Sequence, residues 1–390
     1  MPVQISQSLA HELSHAFEER QSEIVALMRA VVETESPSGD ETGSREVVAL
    51  LAHAAEKLNC VRSVERVEVP NMGEHLVVRA FADRAGSGHT MLVGHTDTVH
   101  ARGSIVVNPW RQEGNRLFGP GIFDMKANCV LAIEALRALE RVQLTPECAV
   151  TLVLTCDEEV GSFAGWPLLE RIGKTHQTKC ALVLEPSADG KVKTARKGTG
   201  MFTMTVKGVA AHAGLDPGKG ASAIVELAKQ IARLHAMNNS GTGITVNVGT
   251  VSGGTRSNVV AAEASAEIDV RFSTEAESRE VVAALLESVP FDGRVRVKVT
   301  GGVNRPPLER TEKVTELYQL AKEVAKALEF DLGEAQVGGA SDGNFLAAMG
   351  IPVLDGLGID GDGAHATHEH ILVDAIPRRG ALLAGLIATI

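Results

Sequence analysis

The stretch CAVTLVLTCDEE, residues 148–159, is a run of β-branched and apolar residues of strand length that stops abruptly at Asp157, Glu158 and Glu159. Three more stretches follow the same plan: HLVVRA (75–80), HTMLVGH (89–95) and CALVLEP (180–186) are short apolar runs that end in polar or glycine-containing turns. Helical periodicity occupies 44–58, 126–141 and 163–172 between some of them. This alternation predicts an α/β layer whose central strands are covered on both faces. Upstream, Leu9, Leu13, Phe17, Ile24, Leu27 and Val31 recur at helical spacing, which predicts one amphipathic helix over residues 8–33.

Beyond Glu185 the pattern changes. Residues 199–306 read as strand, helix, strand, strand, helix, strand: MFTMTVKG, ASAIVELAKQIARLHAM, GITVNVGTV, NVVAAEASAEIDVRF, EAESREVVAALLESV and RVRVKVTG. That is the order of a ferredoxin-like α+β unit. NRPPLER, with prolines at 306 and 307, reads as a return hinge before a helix at 311–328. Strands around EAQVGG and IPVLDG and a last helix from 376 complete the first domain. The expected organisation is a domain made of 1–198 and 307–390, interrupted by a second domain at 199–306.

Composition narrows the function. With 390 residues, 44% of them hydrophobic, the chain is long enough for at least two packed domains. Acidic residues outnumber basic ones by 49 to 38, for a formal charge of −11, and no basic block interrupts that balance. Nucleic acid and anionic membrane are therefore not expected partners. No apolar run approaches the ~20 residues of a membrane span. The N-terminal residues carry no basic start or apolar leader core, so a cytoplasmic location is expected. The five scattered cysteines lack close pairs and read as reduced thiols.

The chemistry lies just past the strand ends, where sites form in open α/β sheets. In MLVGHTDTV, His95 and Asp97 leave the same face of an extended chain, and the carboxylate there either orients the imidazole or sits in a solvated loop. Asp124, in GPGIFDMKANC, lies in a glycine-rich loop before a helix, where it either caps the helix or reaches a cation. Asp157, Glu158 and Glu159 form either a solvated acidic turn or part of a site. Glu185 follows four apolar residues, where a bare carboxylate is costly to bury. His365, His368 and His370 follow a flexible glycine-rich loop.

The combination is more telling than its members. Three carboxylates within ~4–5 Å of one another repel by roughly 3–4 kcal/mol per pair at an effective dielectric near 20. Two divalent ions remove that penalty. Imidazole and carboxylate donors without thiolate favour zinc, with cobalt or manganese as substitutes. Glu158, beside a ligand, is placed to take a proton from water.

In GHTDTV, GPGIFDMK, DEEVGS, LEPS and GAHATHE, in this order and over nearly the whole chain, the sequence resembles the di-zinc aminoacylase and carboxypeptidase family, which includes succinyl-diaminopimelate desuccinylase and acetylornithine deacetylase. The resemblance implies a zinc-peptidase-like catalytic domain with a mixed central sheet, and an inserted lid that makes a homodimer. It implies that His95, Asp124 and Glu185 hold one zinc, that Asp124, Glu159 and His365 hold the other, and that Asp124 bridges them. Glu158 takes the place of the general base and acid, and Asp97 that of the carboxylate behind His95. His212, in AAHAG, resembles the histidine that reaches the partner subunit's active site and steadies the oxyanion.

Within that family LEPSADGKVKTARKGTG, SNVVAAEASAEIDVRF, GGASDGNFLA and DAIPRR are similar to bacterial glutamate carboxypeptidases, which release C-terminal glutamate from folates and N-acyl glutamates. The likeness implies that Asn258 and Arg271 bind the substrate's α-carboxylate and Arg305 its side-chain carboxylate. Deacylase, desuccinylase and dipeptidase activities on the same centre are the alternatives. Two departures stand out. Ala-Thr-His replaces the more usual Ser-Pro-Asp between the ligand histidine and the following glutamate, which makes His368 a rival to His365. Ala127 and Asn128 replace common glycines.

Overall fold

The computed structural model of the chain describes residues 5–175, 177–239 and 243–390. It divides into two compact units, the first made of Met1–Thr194, Arg310–Val337 and Ser341–Ile390, the second of Ala195–Glu309 with Gly338–Ala340.

The first unit is built on a six-stranded mixed sheet in the order Val61–Val69, Gly73–Ala80, Ala149–Thr155, His89–His95, Thr178–Val183, Val353–Leu354. The last four strands are parallel and the first two antiparallel. Both His89–His95 and Ala149–Thr155 are buried at every position, as strands covered on both faces must be. Pairing of His95 with Thr155 brings the carboxyl ends of these two strands level. The helix Ala127–Arg141 is buried along nearly its whole length. It belongs to one core with Leu13, Phe17, Met28, Leu382 and Leu386, each 0–1% exposed. Burial of a side chain of this size contributes roughly 1.5–3 kcal/mol.

The expected helix over 8–33 is two helices, Gln7–Glu19 and Gln21–Glu33, that part at Arg20. Phe17 and Ile24 are seven residues apart, so the apolar spacing runs through the break in phase and does not reveal it. Arg20 donates from Nε to the buried Glu134 over 3.0 Å. The strand Val61–Val69 escapes a pattern based on apolar runs because, at one edge of the sheet, most of its positions are exposed or half-buried. EAQV pairs with Val192–Arg196 in a separate two-stranded sheet, rather than extending the main one.

The second unit has one antiparallel sheet in the order Thr245–Gly253, Glu263–Phe272, Gly198–Lys207, Arg296–Arg305, and two helices, Ala223–His235 and Glu275–Leu286. The connectivity is β-α-β-β-α-β. Its core includes Phe202, Met204, Leu227, Ile268, Phe272 and Val281. Thr274 and Glu277 close a capping box at the start of the second helix.

Candidate metal centre

Five donors gather at the carboxyl ends of the parallel strands of the first unit. His95, the last residue of its strand, is 1% exposed. Its Nε2 lies 3.2 Å from Asp124 Oδ1 and 3.6 Å from Glu185 Oε1, and Glu185 follows the neighbouring strand Thr178–Val183. The other oxygen of Asp124, Oδ2, lies 3.3 Å from His365 Nε2, which is also 3.4 Å from Glu159 Oε1. The donors thus form two groups, His95–Asp124–Glu185 and Asp124–Glu159–His365, with the ligand-capable atoms of each within 4.8 Å of one another. Asp124 is common to both and turns one oxygen to each.

Local structure sets this geometry. Asp124 sits with non-helical dihedrals in the five-residue turn Ile122–Lys126, ahead of the helix Ala127–Arg141. It therefore precedes the helix without being its cap. Asn128, in place of a glycine, is buried and donates to the Phe123 carbonyl while accepting from the Ile359 amide, so it ties this turn to the chain that leads to His365. His365 itself has a positive φ of 65°.

Asp97 has two tasks. Its main-chain oxygen accepts from His95 Nδ1 at 3.0 Å, with the carboxylate 3.4 Å from the same nitrogen. A proton fixed on Nδ1 leaves the Nε2 lone pair, beside Asp124 and Glu185, as the one that would ligate a cation. The carboxylate also accepts from Ser38 Oγ and from the amides of Glu158 and Glu159, and so fixes the turn that carries both glutamates.

The protonation pattern matches a cluster of excess negative charge. Burial opposes the His95 cation, yet hydrogen bonds and charge from Asp124 and Asp97 hold it well above its usual value. His365 is raised to about 10 by its hydrogen bonds to Asp124 and Glu159. Burial would raise Asp124, but His365 and His95 hold its carboxyl well below the usual range. Burial pushes Asp157 up to about 6, with Asp342 and Asp97 adding to the rise. The donor set suits divalent cations: imidazole nitrogens and carboxylate oxygens, with no thiolate in either group. Glu159 Oε1 adds a second sign: it is buried, and the contact that meets it, His365 Nε2 at 3.4 Å, is a long one, which leaves the oxygen open to a cation. Cys129, close by, bonds to the His95 carbonyl and is pushed up to about 12 by burial, which keeps it a thiol.

The other expected site residues are placed as follows. Glu158 is 9% exposed, on the same short turn as Glu159. His368 is exposed and joins neither group. In the second unit, His212 is exposed, and its Nδ1 accepts from the amides of Gly214 and Leu215, so the neutral ring carries its proton on Nε2. The Asn258 carbonyl accepts from Ala213, one residue after His212. Arg271 and Arg305 both pair in register with Thr199, one on each side of its strand. The Arg271 fork is engaged by Asp269 on the same strand, at 2.8 and 2.9 Å. Arg305 is 8% exposed and donates to Asn304 Oδ1. Three contributors were not anticipated: Ser38, His100 and Glu369. The last two form a 2.6 Å hydrogen bond with each other, and Glu369 also accepts from the Asp124 amide. In the sequence Glu369 is visible only as the glutamate that closes GAHATHE, four residues after His365, with no role attached to it.

Residues 91–389 match the model of peptidase family M20/M25/M40. Carboxypeptidase G2 of Pseudomonas sp. (strain RS-16) is 27% identical over 391 residues, covering 98% of this chain and 93% of its own. Succinyl-diaminopimelate desuccinylase of Pseudoalteromonas atlantica is 25% identical over 94% of this chain and 98% of its own. Among solved structures, aminopeptidase PepT of Bacillus cereus superposes with a TM-score of 0.77 at 23% identity, over 95% of this chain and 98% of that one. The chain belongs to peptidase family M20/M25/M40 and is a metal-dependent hydrolase of that family.

Proposed function

We propose that this member of the M20/M25/M40 peptidases binds two zinc ions and hydrolyses an amide bond that links an acyl group to a C-terminal amino acid, with glutamate as that amino acid. The observation that carries this reading is the Asp124 carboxylate, turned with one oxygen to His95 and the other to His365. His95, Asp124 and Glu185 would hold one ion, and Asp124, Glu159 and His365 the other. When bound, such ions polarise a carbonyl oxygen and lower the pKa of water.

The remaining work falls to side chains. Glu158 takes the proton from the attacking water and returns it to the leaving amine. Asp97 keeps the His95 proton on Nδ1. His212, with its proton on Nε2, donates to the oxyanion, and in this reading it does so from the partner subunit of a homodimer, with the second unit acting as dimerisation domain and lid.

The preference for glutamate is supported by the 27% identity to a carboxypeptidase over almost the full chain, and by Arg271 and Arg305 flanking Thr199. A guanidinium meets a carboxylate with two hydrogen bonds, so a pair of arginines suits a substrate with two carboxylates. Because Asp269 engages the Arg271 fork, a substrate carboxylate has to share it. The test is a zinc-loaded assay of N-acyl amino acids that end in Glu, Asp or a neutral residue, beside N-succinyl and N-acetyl diamino acids and free dipeptides. The highest kcat/KM is expected on C-terminal glutamate. Faster turnover of another class replaces the glutamate assignment, and no turnover in any class overturns the hydrolase reading.

A further inference from the structure

Glu369 is fully buried and accepts four hydrogen bonds. Oε1 takes the amides of Phe123 and Asp124, each at 2.9 Å; Oε2 takes the amide of Gly121 at 2.9 Å and His100 Nε2 at 2.6 Å. Amides that converge in this way form an anion-binding turn. Here the anion is a side chain supplied by the chain 245 residues after Asp124. Gly121 has a φ of +69°, and a Cβ there would come within 2.4 Å of Thr98 Cγ2, so the turn depends on that glycine. With 0% exposure and both oxygens engaged, Glu369 has no access to a substrate.

Its partners matter more than their number. His100 lies three residues beyond Asp97 and five beyond His95; the amide of Asp124 belongs to the shared donor itself; Glu369 follows His365 by four residues. One carboxylate therefore joins the three segments that supply His95, Asp124 and His365. Without it, three amides of the turn, those of Gly121, Phe123 and Asp124, lose this acceptor.

We propose that Glu369, completed by His100, is the positioning residue of the metal centre: it holds the turn 121–124 in the shape that lets Asp124 face His95 and His365 at once. The inference rests on the reading of these residues as metal ligands.

The experiment is a Co²⁺ titration of the full-length, metal-stripped protein, followed by visible absorption and by competition with a chelator. The unaltered chain is expected to take up two Co²⁺. Glu369→Gln is expected to keep the far-ultraviolet circular dichroism and a cooperative melt, to bind Co²⁺ about 10–100-fold more weakly, and to shift the absorption bands. His100→Ala should lose affinity in the same direction, and His100→Gln, which restores an N–H donor, should regain most of it. Wild-type affinity and spectrum in both Glu369→Gln and His100→Ala overturn the proposal. If Glu369→Gln does not fold, the His100 pair decides, and an unchanged His100→Ala overturns it. Failure of the unaltered chain to bind Co²⁺ overturns the ligand reading itself, a different outcome from two tightly bound ions in every variant.

Discussion

Asp124 Oδ2 stands 3.3 Å from His365 Nε2, while Oδ1 of the same carboxylate stands 3.2 Å from His95 Nε2. A neutral, asymmetric amide cannot serve both sides with an anionic oxygen. Asp124→Asn is therefore expected to weaken both cations, by more than the roughly 10–100-fold typical of outer partners, and to leave less than two metal ions per chain. Elemental analysis after dialysis against buffer measures this.

Glu158→Gln removes the proton acceptor and none of the five donors. The variant is expected to retain bound metal and melting temperature and to lose about 10²–10⁴-fold in kcat, the range for general acid–base catalysis. Steady-state kinetics on the best substrate, beside metal analysis of the same sample, checks it.

Metal uptake is expected to release protons. In the metal-free chain, hydrogen bonds from His365 to Asp124 and Glu159 raise its pKa from 6.5 to about 10, so the ring is charged at neutral pH. A cation must displace that proton, so apparent affinity falls as pH drops below about 10. Stability of the metal-free fold runs the opposite way: His365 favours it fully below 6.5, and that contribution fades as pH rises toward about 10. Calorimetric titration in buffers of different ionisation enthalpy counts the released protons.

Thiol reagents should find the native protein unreactive. Burial pushes Cys60, Cys129 and Cys180 each up to about 12 and Cys156 upward as well, and Cys148 is 1% exposed. A disulfide reagent at pH 8 is expected to titrate the native thiols slowly and all five rapidly in denaturant.

Arg271→Ala should raise KM for a C-terminal glutamate substrate by about 10- to 150-fold, equivalent to the roughly 1.5–3 kcal/mol of a hydrogen bond to a charged group. A substrate with a C-terminal amide in place of the carboxylate should lose this dependence. Equal KM values for both proteins on the carboxylate substrate would reassign Arg271 to its pairing with Asp269.

The sequence exposes the five donors because each follows a strand or glycine-rich loop whose pattern is plain, and because burial of so much like charge needs an explanation. The strands that lead to His95, Glu159 and Glu185 are legible for the same reason, whereas the short strands Gly361–Asp362 and His370–Leu372 on either side of His365 are not. What escapes is set by the main chain. Glu369 acts on amides of a turn that no periodicity marks, and Asn128 joins two loops through its side-chain amide. Arg20 parts two helices that keep a common apolar phase, and Val61–Val69 lies at a sheet edge where little apolar patterning is required. The Arg271–Asp269 pair is two residues long in sequence, yet only coordinates tell an engaged guanidinium from an open one.

The chain leaves the first unit at Thr194 and re-enters it at Arg310, so four of the five donors are translated before the second unit and His365 after it. On the ribosome, His95, Asp124 and Glu185 are all present once Glu185 has been added, whereas the imidazole of the other group arrives 180 residues later. The two candidate groups thus become chemically complete at different moments of synthesis, the one around His95 and Glu185 before the one that needs His365.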